Sequence, residues 1–274
     1  MLITHTEKAH IRLVHIDSHL DGDSFQPERI LRLINRIAAG ESSAAQCISQ
    51  LKSYVMAKGM SAWFHTEDLS ALKNWFYVRN KLEFILGSPP YNQTGGSLAY
   101  ENQALFGMFY LVSDHPGLIN WYSNFDSGFN KKRTENTAAA GFWTQQFFIA
   151  LRGEWDVLIE RCERILASPP SRSRERKFMP DHCFYLALAK GDIGGMEAVI
   201  KELVTPKLIA RREPIEGGYT ADLICTPAIL YSKLAWRHGY QVEVDSPYIP
   251  KAWLPISSLD SYEDPFDFMK QYSI

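Results

Sequence analysis

The sequence predicts an all-α fold of stacked antiparallel helical hairpins, an irregular solenoid of the tetratricopeptide kind, with a short extended N-terminal segment and an irregular C-terminal tail. Three observations predict it. First, FFIALRGEWDVLIERCERIL (147–166) returns as YLALAKGDIGGMEAVIKELV (185–204), with Gly153 aligned to Gly191, Arg152 to Lys190 and Glu154 to Asp192. Each copy reads as a helix, a Gly stop, an acidic helix start and a second helix. Self-similarity of this kind marks hairpins that bury their apolar faces against their neighbours. Second, apolar residues recur at helical spacing through most of the chain. Third, aromatics make up 13% of the residues, with seven Trp, which suits the wide gaps between packed helical pairs.

Taken in order, residues 1–24 mix Ile11 and Leu13 with polar neighbours, a pattern for a short strand or a polar helix. From Gln26 the helical period is clear: Ile30, Leu31, Ile34, Ile37 and Ala38 share a face, Pro27 suits a first turn and Gly40 a stop. Ser42 and Ser43 open a second helix to about Lys58, with Gly59 after it. Leu69, Leu72, Trp75, Phe76, Leu82, Ile85 and Leu86 mark a third. SPPYNQTGG (88–96) reads as a loop and is the best internal boundary in what is otherwise one helical domain over 1–274, separating 1–87 from the repeat part 97–274.

A helix follows to about Val112. Asp114-His115-Pro116 is a turn, with Leu118, Trp121, Tyr122 and Phe125 behind it, a degenerate earlier copy of the repeat. FDSGFNKKR (125–133) is a loop. In the clear copies the stripe Trp155, Leu158, Ile159, Cys162, Ile165, Leu166 faces inward, while Glu160 and Arg164 pair at i, i+4. After the loop EPIEGGYT (213–220) a further helix spans about 221–238. YQVEVDSPYIP then runs extended, and Pro247, Pro250 and Pro255 forbid another long helix.

Composition excludes several classes. A net charge of −2 carries no basic excess for broad nucleic-acid binding, and SRSRERK (171–177) reads as a solvated linker or helix start. Cys47, Cys162, Cys183 and Cys225 form no CxxC pair and fit buried free thiols in a reducing compartment. The N-terminus lacks an apolar signal region, and no stretch approaches the ~18 apolar residues of a membrane span. A cytoplasmic protein is expected, with no membrane partner.

The sharpest chemical motif is HIDSHLDGD (15–23), because IDSHLD resembles the Asp-x-His-x-Asp metal motif of binuclear manganese ureohydrolases such as arginases and agmatinases. By that resemblance Asp17, His19 and Asp21 would be metal ligands. The departures are severe: the family's Gly-Gly-Asp-His and later Asp-x-Asp segments are absent, and the motif falls near the N-terminus of a helical chain rather than deep in an α/β fold. A polar turn is the expected reading. His15 and His19 stand at i, i+4, a spacing that can hold a metal on a helix but that near a terminus more often faces solvent. HExxH, GxGxxG, GxxxxGK[ST] and GxSxG are all missing, so no enzyme and no cofactor is expected. Tyr91, Tyr100, Trp121, Trp143, Tyr219, Tyr231 and Trp253 are candidate interface anchors whose spacing favours the core. The tail 259–274 is acidic and aromatic. Asp260, Glu263, Asp264, Phe266 and Asp267, with Phe268, could meet a basic partner or form a solvated end.

The second half carries a family likeness. ALRGEWDVLIERCERIL, HCFYLALAKGDIGGMEAVIKELV and TPAILYSKLAWRHGYQVEVDSPYIPKAWL, closing on Asp245-Ser246-Pro247-Tyr248-Ile249-Pro250, resemble the immunity protein 49 family of bacterial polymorphic-toxin systems over roughly residues 135–255. The resemblance implies a helical protein encoded beside a toxin, which binds that toxin and blocks its active site or substrate route. The tail residues Asp260, Glu263, Asp264, Phe266 and Asp267 then become the candidate toxin contacts. Two rival expectations remain: a tetratricopeptide-like scaffold holding a peptide in its groove, for which no ladder of Asn, Lys and Arg is present, and a metal-dependent hydrolase using Asp17, His19 and Asp21.

Overall fold

The repeat predicted from the sequence forms two antiparallel hairpins. In this computed structural model, which describes residues 7–91, 103–171, 174–212 and 216–274, α8 (Ala140–Arg152) pairs with α9 (Trp155–Ala167), and α10 (Met179–Lys190) with α11 (Ile193–Leu203). Gly153 and Gly191 hold φ of +72° and +67°. That left-handed turn lets the next two amides reach back to the helix end. Gly153 N–H donates to Ala150 O at 3.0 Å and Glu154 N–H to Ile149 O at 3.1 Å; Gly191 and Asp192 repeat the pattern on Leu188 and Ala187. The copies diverge one residue later. Asp192 caps α11 by accepting from Gly195 N–H at 2.9 Å, whereas Glu154 turns away to pair with Arg152 at 2.7 Å. The longer Glu side chain gives up a cap worth about 1 kcal/mol.

The described residues contain thirteen α-helices and no strand. Besides the four above they are α1 (Glu7–Asp21), α2 (Pro27–Ala38), α3 (Ala44–Thr66), α4 (Leu69–Leu86), α5 (Gln103–Ser113), α6 (Pro116–Ser123), α7 (Lys131–Thr134, one turn at the end of the stretch expected as a loop), α12 (Pro206–Arg212) and α13 (Thr226–Arg237). The α5–α6 turn is a degenerate version of the repeat turn: Asp114 takes the left-handed position, φ +56°, that Gly holds in the later hairpins. α13 packs on both α11 and α5, closing elements far apart in sequence onto one another.

Several expectations are corrected. Residues 7–21 are helical, not extended. Ala9, Leu13 and Ile16 form a buried i, i+4, i+7 stripe against α3, and Arg12 reaches Gly218 O at 2.9 Å and Asp222 at 3.3 Å, so long-range contacts decide a segment whose local pattern is ambiguous. The second predicted helix does not stop at Lys58 but runs to Thr66 as α3. Gly59 serves close approach rather than termination, since a Cβ there would stand 3.2 Å from the Phe76 ring and from Trp75 Cβ. The last helix begins at Thr226, five residues later than the predicted start at 221, with Pro227 in its first turn. Cys183 is exposed, unlike the other three cysteines. Residues 92–96 of the predicted boundary and Tyr100 lie outside the described residues, as do Arg172 of the basic run and 213–215 of the following loop.

α4 is the centre of the molecule, packed by α3, α5, α6 and a C-terminal 3₁₀ turn, Asp267–Gln271. It is buried on all sides, yet it carries Lys73, Arg79, Asn80, Lys81 and Glu83, each at most 5% exposed. Buried charge is tolerable only when paired or hydrogen-bonded. Lys73 finds Asp114, Lys81 finds Asp264 and Glu83 finds Lys52. A second buried node joins four helices, with Asp181 accepting from Trp143 Nε1 at 3.2 Å and from Arg212 and Tyr231.

Next to that node, His182 is 1% exposed and neither ring nitrogen has a hydrogen-bond partner among the described residues. Burial, reinforced by Arg161 and Arg212, pushes its pKa down to about 3 from 6.5. A neutral histidine in the fold and a protonatable one in the unfolded chain give stability that is complete above pH 6.5 and lost as pH falls toward 3. At pH 5 the loss from this residue is about 2 kcal/mol. Urea denaturation at pH 7.5 and pH 5 is expected to show this drop, and His182→Phe is expected to shrink it.

Candidate functional site

The C-terminal tail expected as a docking strip is fastened along α4 and displays only part of itself. Its anchor is Asp114. The Asp114 carboxylate lies between two buried ammoniums: Lys73 Nζ stands 2.9 Å from Oδ2, and Lys233 Nζ 2.9 Å from Oδ1 and 3.0 Å from Oδ2. The tail enters the same cluster. Ser257 N–H donates to Oδ2 at 3.2 Å, Ser258 Oγ donates to Asp114 O at 2.9 Å, Lys233 donates to Pro255 O at 3.1 Å and Lys73 donates to Ser257 O. Burial pulls the Lys233 ammonium down to about pH 8, against the pull of Asp114.

Beyond the anchor, Tyr262 donates to Ser113 O at 2.5 Å, and its ring packs 4.9 Å from that of Tyr77 and 4.8 Å from His115. Asp264 accepts from Tyr77 Oη at 2.9 Å and Lys81 Nζ at 2.6 Å. Burial, then the hydrogen bond to Asp264, raises the Tyr77 pKa. Glu263 N–H donates to Asn74 Oδ1 at 2.8 Å, and Phe266, Phe268 and Met269 are buried.

Of the five candidate contacts, two therefore face inward: Asp264 serves α4 and Phe266 belongs to the core. Asp260, Glu263 and Asp267 are exposed. Lys270 donates to Asp267 at 2.7 Å and holds its carboxyl below the ordinary value, so that charge is locally engaged. The exposed carboxylates of Asp260 and Glu263 have no ion pair among the described residues. The tail thus carries its exposed carboxylates on a segment fastened to α4, an acidic edge rather than a free end.

The histidine-rich motif is dispersed. Asp17 Oδ1 accepts from His65 Nε2 at 2.9 Å, His19 faces Tyr219 Oη at 2.8 Å and Asp21 is exposed, so the three do not converge. No group of three His, Cys, Asp or Glu side chains stands close enough to hold a metal among the described residues, and no helix among them is long and apolar enough to cross a membrane. Of the candidate anchors, Trp143, Tyr219, Tyr231 and Trp253 are core residues, while Trp121 and Tyr91 are half-buried. Sequence reasoning missed Asp114 as a hub and the buried charges of α4. The available signal was a helix carrying apolar and charged residues on every face, which only burial with partners can satisfy.

Comparison with known families matches residues 97–253, more than half of the chain, to the family described as Immunity protein 49. The chain belongs to the immunity protein 49 family. No curated protein and no solved structure gives a significant match. The family stretch begins before α5 and ends at Trp253, so α1–α4 and the tail lie outside it. In this family member the Asp114 hub joins the two parts: Asp114 and Lys233 come from the family stretch, Lys73 and Ser257 from the flanks.

Asp114→Asn keeps the left-handed turn, which Asn tolerates, and leaves two buried ammoniums without their counter-charge. It is expected to cost about 3–5 kcal/mol and to open the 256–270 segment to limited proteolysis. Chemical denaturation and mapping of the first cleavage site check both.

Proposed function

We propose that this protein binds a cognate bacterial toxin in the cytoplasm of the producing cell and neutralises it by stoichiometric occlusion. Family membership over 97–253 carries the reading. The fold is consistent with it: a helical body whose surfaces are held by buried ion pairs rather than by loops. Neutralisation by occlusion needs such pre-organisation, because each side chain frozen on binding subtracts from affinity.

Within this reading the toxin contacts the acidic edge formed by Asp260, Glu263 and Asp267 along α4, with Asp264 and Phe266 supporting it from beneath. An acidic edge suits a basic toxin surface such as that of a nuclease, and it would act mainly on the rate of encounter. Residues 1–274 act as one helical domain, because the flanks complete the charge cluster of the family stretch.

Co-expression with the product of the neighbouring toxin gene tests the function. The expected result is a 1:1 complex on size exclusion and restored growth of cells making the toxin; absence of any complex would overturn it. Asp260→Lys, Glu263→Lys and Asp267→Lys together are expected to weaken the complex at least about tenfold while the melting temperature stays unchanged. An unchanged dissociation constant would move the interface elsewhere.

A further inference from the structure

A cavity of about 310 Å³ lies between α3, α4, α5 and the turn preceding α13, away from the tail. One wall is apolar, made by Met56, Leu105, Phe106 and Phe109. Lys52 and Arg79 also line it, with Ser49, Ser53, Thr220 and Thr226 as hydroxyl groups. Ser49 and Gly217 are exposed, so the cavity opens to the surface. An apolar chamber with a few convergent polar groups is the usual form of a small-molecule site.

Arg79 is the unusual member. It is 4% exposed, and the faces of its guanidinium are covered by the rings of Phe109 and Phe106, at 4.2 and 4.8 Å from their centroids. One N–H donates to Asn80 Oδ1 at 3.0 Å, and no carboxylate within ion-pair distance faces it among the described residues. The other charges at the cavity are accounted for. Lys52 is paired with Glu83. Both oxygens of Glu216 accept from Thr226, Oε1 from its N–H at 2.8 Å and Oε2 from its hydroxyl at 2.6 Å, so this carboxyl is engaged with the start of α13 rather than with Arg79. Arg79 is thus a buried cation that lines an open chamber, with aromatic rings packed on its guanidinium, one N–H given to Asn80 and no ion-paired carboxylate among the described residues.

We propose that this cavity is a binding site for a small organic monocarboxylate, whose carboxylate meets the edge of the Arg79 guanidinium while its apolar body lies against Met56, Leu105, Phe106 and Phe109. A guanidinium edge matches a planar carboxylate in two parallel hydrogen bonds, and the apolar wall beside it suits an organic acid rather than inorganic phosphate. A ligand there would bridge α3, α4 and α5, linking the flanking helices to the family stretch. The inference does not depend on the toxin and is tested without it.

The full chain is titrated by calorimetry and by amide NMR with benzoate and hexanoate, with benzyl alcohol and inorganic phosphate as controls. The expected result is saturable 1:1 binding of at least one carboxylate, with shifts at Phe106 and Phe109 and binding at least about tenfold weaker for both controls. Arg79→Met, which removes the unpaired charge and keeps the apolar stem, abolishes binding; Ser53→Phe, which fills the cavity without touching a charge, does the same. Failure of both carboxylates to bind, equal binding of benzyl alcohol, stronger binding of phosphate, or binding retained in a folded Arg79→Met or Ser53→Phe protein would each overturn the proposal.

Discussion

The placement of one carboxylate organises this molecule. Asp114 sits where the later hairpins have glycine, and its side chain is therefore free to point into the core at the moment the chain reverses. Two lysines from helices on either side, Lys73 of α4 and Lys233 of α13, converge on it, and the tail lays its Ser257 amide on the same oxygen as Lys73. Two ammoniums and one carboxylate leave a local positive excess, which the backbone carbonyls of Pro255 and Ser257 help to satisfy. In a low-dielectric interior this cluster is worth less as net stability than as specificity. Few other ways of stacking these helices would leave all three charges satisfied.

The same logic explains why α4 can be the central helix while being so polar. Apolar burial supplies the driving force, with Leu72, Phe76, Val78, Leu82 and Ile85 fully enclosed. The charges set the neighbours: Lys73 brings in the α5–α6 turn, Lys81 the tail, and Glu83 brings in α3 through Lys52. Each partner comes from a different part of the chain, so the order of helices around α4 is encoded in charge, whereas the depth of packing is encoded in apolar pattern. The rigidity of the acidic edge is a by-product, since the tail cannot leave without stranding Lys81 and the Asp114 cluster.

Much of the fold was legible because hairpin turns are local. Gly153 and Gly191 announce their left-handed turns, and Pro27 and Pro116 mark helix starts at the positions they hold. What was not legible depended on distant partners. Gly59 looks like a stop until Trp75 and Phe76 are seen to press against it. Residues 7–21 look undecided until α3 and Gly218 supply what the local sequence lacks. The tail reads as a solvated acidic end because nothing in its own sequence shows that Asp264 has Lys81 and Tyr77 waiting or that Phe266 and Phe268 have a core to enter.

The hub also bears on how the family stretch relates to its flanks. A chain cut to 97–253 would keep Asp114 and Lys233 but lose Lys73 and Ser257, and it would strip α5 of the helix against which Phe109 packs at 5.0 Å from Phe76. It would also remove half of the Arg79 cavity, whose apolar wall comes largely from α5 and whose cations come from α3 and α4. The stretch matched to the family thus shares its buried contacts with the flanks. The flanks complete the charge cluster, supply the acidic edge and form the cationic side of the cavity.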